Sequence, residues 1–173
     1  MDSGVVSQMN RDSIEPLGLG SWFASVRRLS VLASAGRVTM SSALRHAYHL
    51  VQLTPYSLRS SVAAALSERA FEDLLEAGVH DVAAQALAGS PAGLALVRQP
   101  GSKAVFAEVR FPDGRGLGCG QGRTIAQAIL QAWCRAAIAL DMSADSAPER
   151  SQPHAKIVPF HAWTRDETAP LGA

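Results

Sequence analysis

The chain has 173 residues, of which 47% are hydrophobic and 18% charged, and its formal net charge is +1. This length suits one domain of ordinary size with terminal extensions, and the apolar content suffices for a buried core. The charge gives no global basic character that would indicate nucleic acid, and no apolar run reaches the roughly 20 residues that span a bilayer. Cys119 and Cys134 lack metal-binding spacing and are expected to be buried free thiols, which favours a reducing, cytoplasmic setting. We expect no metal, no cofactor and no membrane contact.

The N-terminal half predicts helices. Residues 1–20 lack a sustained hydrophobic period and are expected to be a flexible lead-in, whereas residues 21–90 predict an alanine-rich helical region. The first helix is expected between a cap at Ser21 and a stop at Gly36, with one apolar face formed by Trp22, Val26, Leu29 and Ala33. Further helices are expected from Ser41 or Ser42 to Leu53, from Pro55 to Leu66, from Glu68 to Ala77 after a cap at Ser67, and from Val82 to Ala88 after a cap at Asp81.

Two histidines of the second predicted helix, His46 and His49, are three residues apart, a spacing that can bind a metal ion. No third ligand is nearby in the sequence, so no metal site is predicted. No Ser, Cys or Asp motif surrounds any of the five histidines, and no catalytic residue is assigned. The sequence therefore predicts a protein that is not an enzyme.

Residues 91–141 predict three strands followed by a helix. Leu94 to Val97 is a short apolar run, and after a turn the segment from Lys103 to Phe111 alternates in hydrophobicity, which predicts a sheet with one covered face. The third strand, Gly116 to Gly120, is rich in glycine. Such a strand either bends sharply or approaches another element closely.

The helix expected from Ile125 to Leu140, after a cap at Thr124, is apolar except for one narrow stripe made of Gln127, Gln131 and Arg135. A helix of this kind is buried over most of its circumference, and we expect it on the sheet face that carries Val105, Val109 and Phe111. The fold class is therefore α+β: a helical N-terminal half followed by α-β-β-β-α with an antiparallel three-stranded sheet.

Glycines at positions 116, 118, 120 and 122 precede the last helix and invite comparison with dinucleotide-binding loops. Those loops belong to a parallel strand-helix-strand unit, whereas these glycines follow an antiparallel hairpin. No nucleotide cofactor is predicted.

Residues 142–173 are rich in Ser, Pro, Asp and Glu and are expected to be a disordered or extended tail. Within it, residues 157–163 form a compact apolar patch. The patch either docks on its own domain or binds a partner, and its candidate partner-binding residues are Ile157, Val158, Phe160 and Trp163.

The order helix, strand, strand, strand, helix over residues 82–140 resembles the double-stranded-RNA-binding domain. Pro100 and Phe106 keep the spacing of a proline and a phenylalanine in that family's first hairpin, and the glycines before Thr124 and Ala128 keep the frame of its last helix entry. Small phage-encoded sandwich domains show a similar pattern. The resemblance implies the α-β-β-β-α order and, for the family, binding of duplex RNA.

The residues that bind RNA in that family are replaced here. Its three phosphate-gripping lysines correspond to Ile125, Ala126 and Ile129, and its loop histidine corresponds to Ser102. Duplex RNA is bound largely through phosphates and 2′-hydroxyls, so these replacements favour a protein-interaction module of the accessory or inhibitor type. The alternative is an RNA-binding protein that contacts the duplex backbone through Lys103, Arg110, Arg115, Arg123 and Thr124.

Overall fold

The structure of the protein, a computed structural model, describes residues 16–89, 93–98 and 101–144, with side chains as far as residue 141. Its elements in chain order are α1 (Leu19–Ser34), α2 (Met40–Gln52), a 3-10 turn (Tyr56–Leu58), α3 (Glu68–Glu76), α4 (His80–Leu87), β1 (Leu94–Arg98), β2 (Val105–Arg110), β3 (Leu117–Gly122) and α5 (Ile125–Ala144). The strands form an antiparallel sheet in the order β1-β2-β3. The predicted α+β class is confirmed. None of the described helices is long and apolar enough to cross a membrane.

Several elements differ in extent from the prediction. The segment from Pro55 to Leu66 was expected to be a helix but forms only the 3-10 turn, and its Ala65 amide donates to the Ala86 carbonyl of α4 instead of to a helical partner. Helix α1 begins after Gly18 rather than at a serine cap. Helix α5 continues to Ala144, so it includes the first residues of the expected tail.

Helix α5 is the centre of the core. It packs on β2 and β3 on one side and on α1 and α4 on the other. Ile129, Trp133 and Cys134 are fully buried, and burial raises the pKa of the Cys134 thiol to about 12. The expectation of an apolar helix buried over most of its circumference is confirmed. The expectation for the other cysteine is wrong, because Cys119 is exposed on the sheet.

The glycines of β3 allow its backbone to lie directly against α5. A Cβ atom on Gly118 would lie 2.1 Å from the carbonyl oxygen of Ala132, and one on Gly120 would lie 2.1 Å from that of Ala128. Both distances are far below van der Waals contact, so only glycine fits at these positions while the helix stays in place. Of the two predicted reasons for a glycine-rich strand, close approach to another element is the one observed.

The helical region closes the other side of α5. The faces predicted for α1 and α2 are buried: Trp22, Val26 and Leu29 on α1, and Leu44, Tyr48 and Val51 on α2. The Trp22 indole N–H donates a hydrogen bond to the Leu50 carbonyl at 2.7 Å. Tyr48 stacks on Phe71 of α3 with ring centroids 4.3 Å apart. One core therefore joins both halves of the chain.

Candidate interaction surface

The four cations of the RNA-binding alternative are divided between two ends of the sheet. Lys103 precedes β2 and Arg123 follows β3, at the end where Val105 pairs with Gly122. Arg110 pairs with Leu117 at the opposite end, which is about 17 Å away at roughly 3.4 Å per strand residue. Arg115 lies in the turn beyond that end. The structure therefore does not bring the four side chains together into one basic patch.

The two arginines at the β2–β3 turn carry acidic neighbours. The guanidinium of Arg110 lies 3.4 Å from the carboxylate of Glu108. Arg115 donates a hydrogen bond to Asp113 at 2.7 Å and another to Ser61 at 3.0 Å. The carboxylates reduce the positive potential at this end of the sheet, and phosphate binding here would have to compete with them.

The N-terminus of α5 is satisfied by groups of the protein itself. Thr124 accepts a hydrogen bond from the Gln127 amide at 3.1 Å, as its predicted role as a cap requires, and Gln127 accepts one from the Arg123 amide at 2.9 Å. A carboxylate oxygen of Asp81 accepts a third from the Ala126 amide at 2.8 Å. Asp81 was expected to cap α4, but α4 begins after Val79 and makes no side-chain cap hydrogen bond.

Asp81 changes the electrostatics of the position that the resemblance implies for RNA. Helix N-termini attract anions because their free amides and the helix dipole favour negative charge. Here the protein itself supplies the negative charge: the carboxylate of Asp81, on α4, accepts a hydrogen bond from the amide of Ala126, 45 positions later in the chain. A phosphate at this site would meet a carboxylate instead of a free helix end.

No constellation of the described residues has the geometry of an active site. His46 and His49 are both exposed on α2. Partial desolvation of the His46 ring, together with the charges of His49 and Arg28, lowers the pKa of His46. No group of three His, Cys, Asp or Glu residues within the described ranges is arranged to hold a metal ion.

The closest approach to a catalytic pair is a hydrogen bond of 2.7 Å between the Ser41 hydroxyl and Nε2 of His80. It links the start of α2 to the start of α4 beside a cleft of about 590 Å³ that His80, Asp81 and Thr124 help to line. Within the described part of the chain, no carboxylate hydrogen-bonds to the other ring nitrogen of His80 to orient it. We therefore assign the Ser41–His80 bond a structural role.

The outer face of the sheet, which faces away from α5, is uncovered by any described element. It consists of Ala95 and Val97 from β1, Phe106, Glu108 and Arg110 from β2, and Leu117, Cys119 and Gln121 from β3. Three large apolar side chains on it are exposed: Val97 by 60%, Phe106 by 38% and Leu117 by 46%. Val97 lies directly opposite Phe106, so two of the three form one contiguous apolar surface. The alternation in β2 predicted that only one face of the sheet would be covered. It did not predict that β1 would add apolar side chains to the uncovered face.

The two edges of the sheet are treated differently. At the β3 edge, the Arg135 guanidinium from α5 donates a hydrogen bond to the Cys119 carbonyl at 2.6 Å. At the β1 edge, no described residue outside the sheet hydrogen-bonds to the strand. Leu96, whose side chain lies on the same face as buried Ala107, is still 39% exposed, because α5 packs over β2 and β3 rather than over β1.

The remaining predicted site residues, Ile157, Val158, Phe160 and Trp163, lie outside the described residues, as do the first 15 residues of the expected lead-in. No family model, no curated protein and no solved structure matches this chain. The resemblance to the double-stranded-RNA-binding domain therefore stays a prediction.

Proposed function

We propose that the protein is a non-enzymatic protein-interaction module of the accessory or inhibitor type, which binds a protein partner through the outer face of its sheet and the apolar segment 157–163. The observation that carries the proposal is the exposure of Val97, Phe106 and Leu117 on one face of the sheet. Contiguous exposed apolar side chains bordered by polar residues are typical of protein-binding surfaces. Val97 and Phe106 are contiguous in this way and have Glu108 and Gln121 as polar neighbours, whereas Leu117 lies at the other end of the face, opposite Arg110.

Duplex RNA is the weaker alternative. The basic residues proposed for it lie at two separate ends of the sheet, and those at the turn have acidic neighbours. The helix terminus at Thr124 already holds the Asp81 carboxylate. Each of these features lowers the electrostatic attraction on which backbone recognition of RNA depends.

A pull-down from the native cell with the full-length protein tests the proposal. The Phe106→Glu variant places a charge between Val97 and Gln121 on the outer face and is expected to lose the partner, because an unpaired charge in an apolar interface is costly. Val31→Glu is the matched control, since Val31 is 66% exposed on α1, away from the sheet. Nuclease treatment is expected to leave the wild-type and control complexes unchanged.

The same proteins distinguish the RNA alternative. We expect weak binding to duplex RNA that collapses between about 50 and 200 mM salt, and an Arg123→Glu variant that retains its partner. Nuclease-sensitive capture, combined with salt-resistant duplex binding that Arg123→Glu abolishes, would overturn the proposal in favour of RNA.

A further inference from the structure

At the edge of β1, no described residue outside the sheet hydrogen-bonds to the strand. Exposed edge strands present unpaired N–H and C=O groups that template pairing with another strand, and proteins blunt them with Lys, Pro, bulges or a covering element. At the β3 edge, Arg135 hydrogen-bonds to the Cys119 carbonyl. Strand β1 has no lysine, no proline and no bulge in its register with β2, and its one charged residue, Arg98, is at the end of the strand.

The sequence of β1 is complementary to itself in antiparallel orientation. When a two-fold axis passes through Leu96, that residue faces its counterpart in the second copy, Ala95 faces Val97, and Leu94 faces Arg98. Each small side chain then meets a larger one, and the two Arg98 charges lie at opposite ends of the strand pair. No like charges lie opposite each other, and this favours an isologous contact, because like charges directly opposite would destabilise it.

The backbone is compatible with this register. In an antiparallel pair, alternate residues direct their N–H and C=O groups to one neighbour and the others to the opposite side. An axis at Leu96 pairs even-numbered residues with even-numbered ones and odd with odd. The N–H and C=O groups that point away from β2 belong either to the even-numbered or to the odd-numbered residues of β1. In both cases, those of one copy lie opposite those of the other copy and can hydrogen-bond to them.

From these observations we infer that β1 pairs with β1 of a second copy of this chain, which joins two three-stranded sheets into one six-stranded antiparallel sheet. Two outer faces then lie side by side in one continuous surface. The inference uses the edge of the sheet and is independent of the partner proposed for its outer face. A five-residue strand pair buries less than the roughly 1,200 Å² of a standard interface, so the dimer is expected to be weak and in exchange with the monomer.

Sedimentation velocity of the full-length protein over a concentration series tests the inference. The wild-type protein is expected to shift from monomer to dimer as concentration rises. Leu96→Lys and Leu96→Glu are each expected to stay monomeric, because the axis brings two like charges together. An equimolar mixture of the two variants is expected to regain the dimer, since Lys then faces Glu. Val31→Lys, on the exposed face of α1, is the control and is expected to behave as the wild type.

Recovery only in the mixture is specific to pairing between two copies at Leu96, because pairing with the chain's own tail or with an unrelated partner would not depend on the residue at position 96 of a second copy. A wild-type protein that is monomeric throughout, a Leu96→Lys protein that still dimerises, or a mixture that stays monomeric would each overturn the inference. If the Leu96 variants do not fold, Val97→Lys replaces them. That variant is expected to dimerise more weakly than the wild type, because a lysine replaces the apolar contact of Val97 with Ala95 of the other copy, and adding Ala95→Glu is expected to strengthen the dimer again, because these positions face each other.

Discussion

Ile129 occupies a position where the resembled family has a lysine, and in this protein it is fully buried between the sheet and the helices. We expect Ile129→Lys to lower the free energy of unfolding by about 3 kcal/mol or more, since an unpaired ammonium would be taken out of water. Urea unfolding measures the change. Gln131→Lys, on the polar stripe of the same helix, is the control and is expected to change stability little. Equal stability of the two variants would contradict the packing of α5 described above.

Single residues also mark where sequence reasoning reaches its limit. Burial of Ile129 and Trp133 could be predicted because the apolar period of a helix is local. The hydrogen bond from the Ala126 amide to Asp81 could not be predicted, because it joins residues 45 positions apart. An aspartate just before a helical segment instead predicts a cap of that same helix. The exposure of Cys119 depends on which face of β3 meets α5, and alternating glycines leave no hydrophobic pattern from which to read it.

At the scale of elements, the packing of β3 against α5 depends on the absence of side chains. Gly120→Ala would place a Cβ atom 2.1 Å from the Ala128 carbonyl oxygen and 2.5 Å from the Ala132 nitrogen, both of which are backbone atoms that cannot rotate away. We expect a loss of about 1–3 kcal/mol in the free energy of unfolding. Gly20→Ala in α1 is the control, because nothing lies within 4 Å of its added Cβ. Its stability is expected to stay the same or rise slightly. Thermal unfolding of both variants measures the difference, and a Gly120→Ala protein as stable as Gly20→Ala would mean that β3 and α5 are further apart.

The strands and helices themselves were largely predictable, and the connections between them were not. The period of two in β2 and the caps at Ser67 and Thr124 are local signals that the structure retains. The segment after Pro55 has the composition of a helix but donates the Ala65 amide to the Ala86 carbonyl at 3.0 Å, on another element. A tertiary hydrogen bond of this kind overrides propensity. The position of β1 at an exposed edge of the sheet could not be predicted either, because a short apolar run does not indicate where its strand lies in the sheet.

At the scale of the whole molecule, the β2–β3 turn is tied to the helical half through Asp113, which accepts hydrogen bonds from Ser61 and Arg115. Burial alone would raise the pKa of Asp113, but the hydrogen bonds and the charge of Arg115 outweigh it and hold the pKa below its ordinary value of 3.8. A carboxylate with a lowered pKa stabilises the fold above its unfolded-state pKa, and this stabilisation is lost as pH falls through the folded-state value.

We therefore expect Asp113→Asn to be less stable than the wild type at neutral pH, with the difference shrinking as the pH falls below 3.8, the ordinary pKa of the group. Urea midpoints at a series of pH values measure it. Asp73→Asn, on the exposed side of α3, is the control. Parallel pH profiles for wild type and Asp113→Asn would show that the turn is not held through an ionised carboxylate.

The position of α5 has a consequence for the order in which the protein is made. Helix α1 leaves the ribosome before α5, yet α5 is the element that packs most extensively on it, and its residues are translated about a hundred positions later. Until then the apolar face of α1, including Trp22 and Val26, lacks most of its cover. The N-terminal half therefore cannot complete its core before α5 has been synthesised. Until then, aggregation is limited by the packing of α2 on α1, by chaperones, or by rapid synthesis of α5.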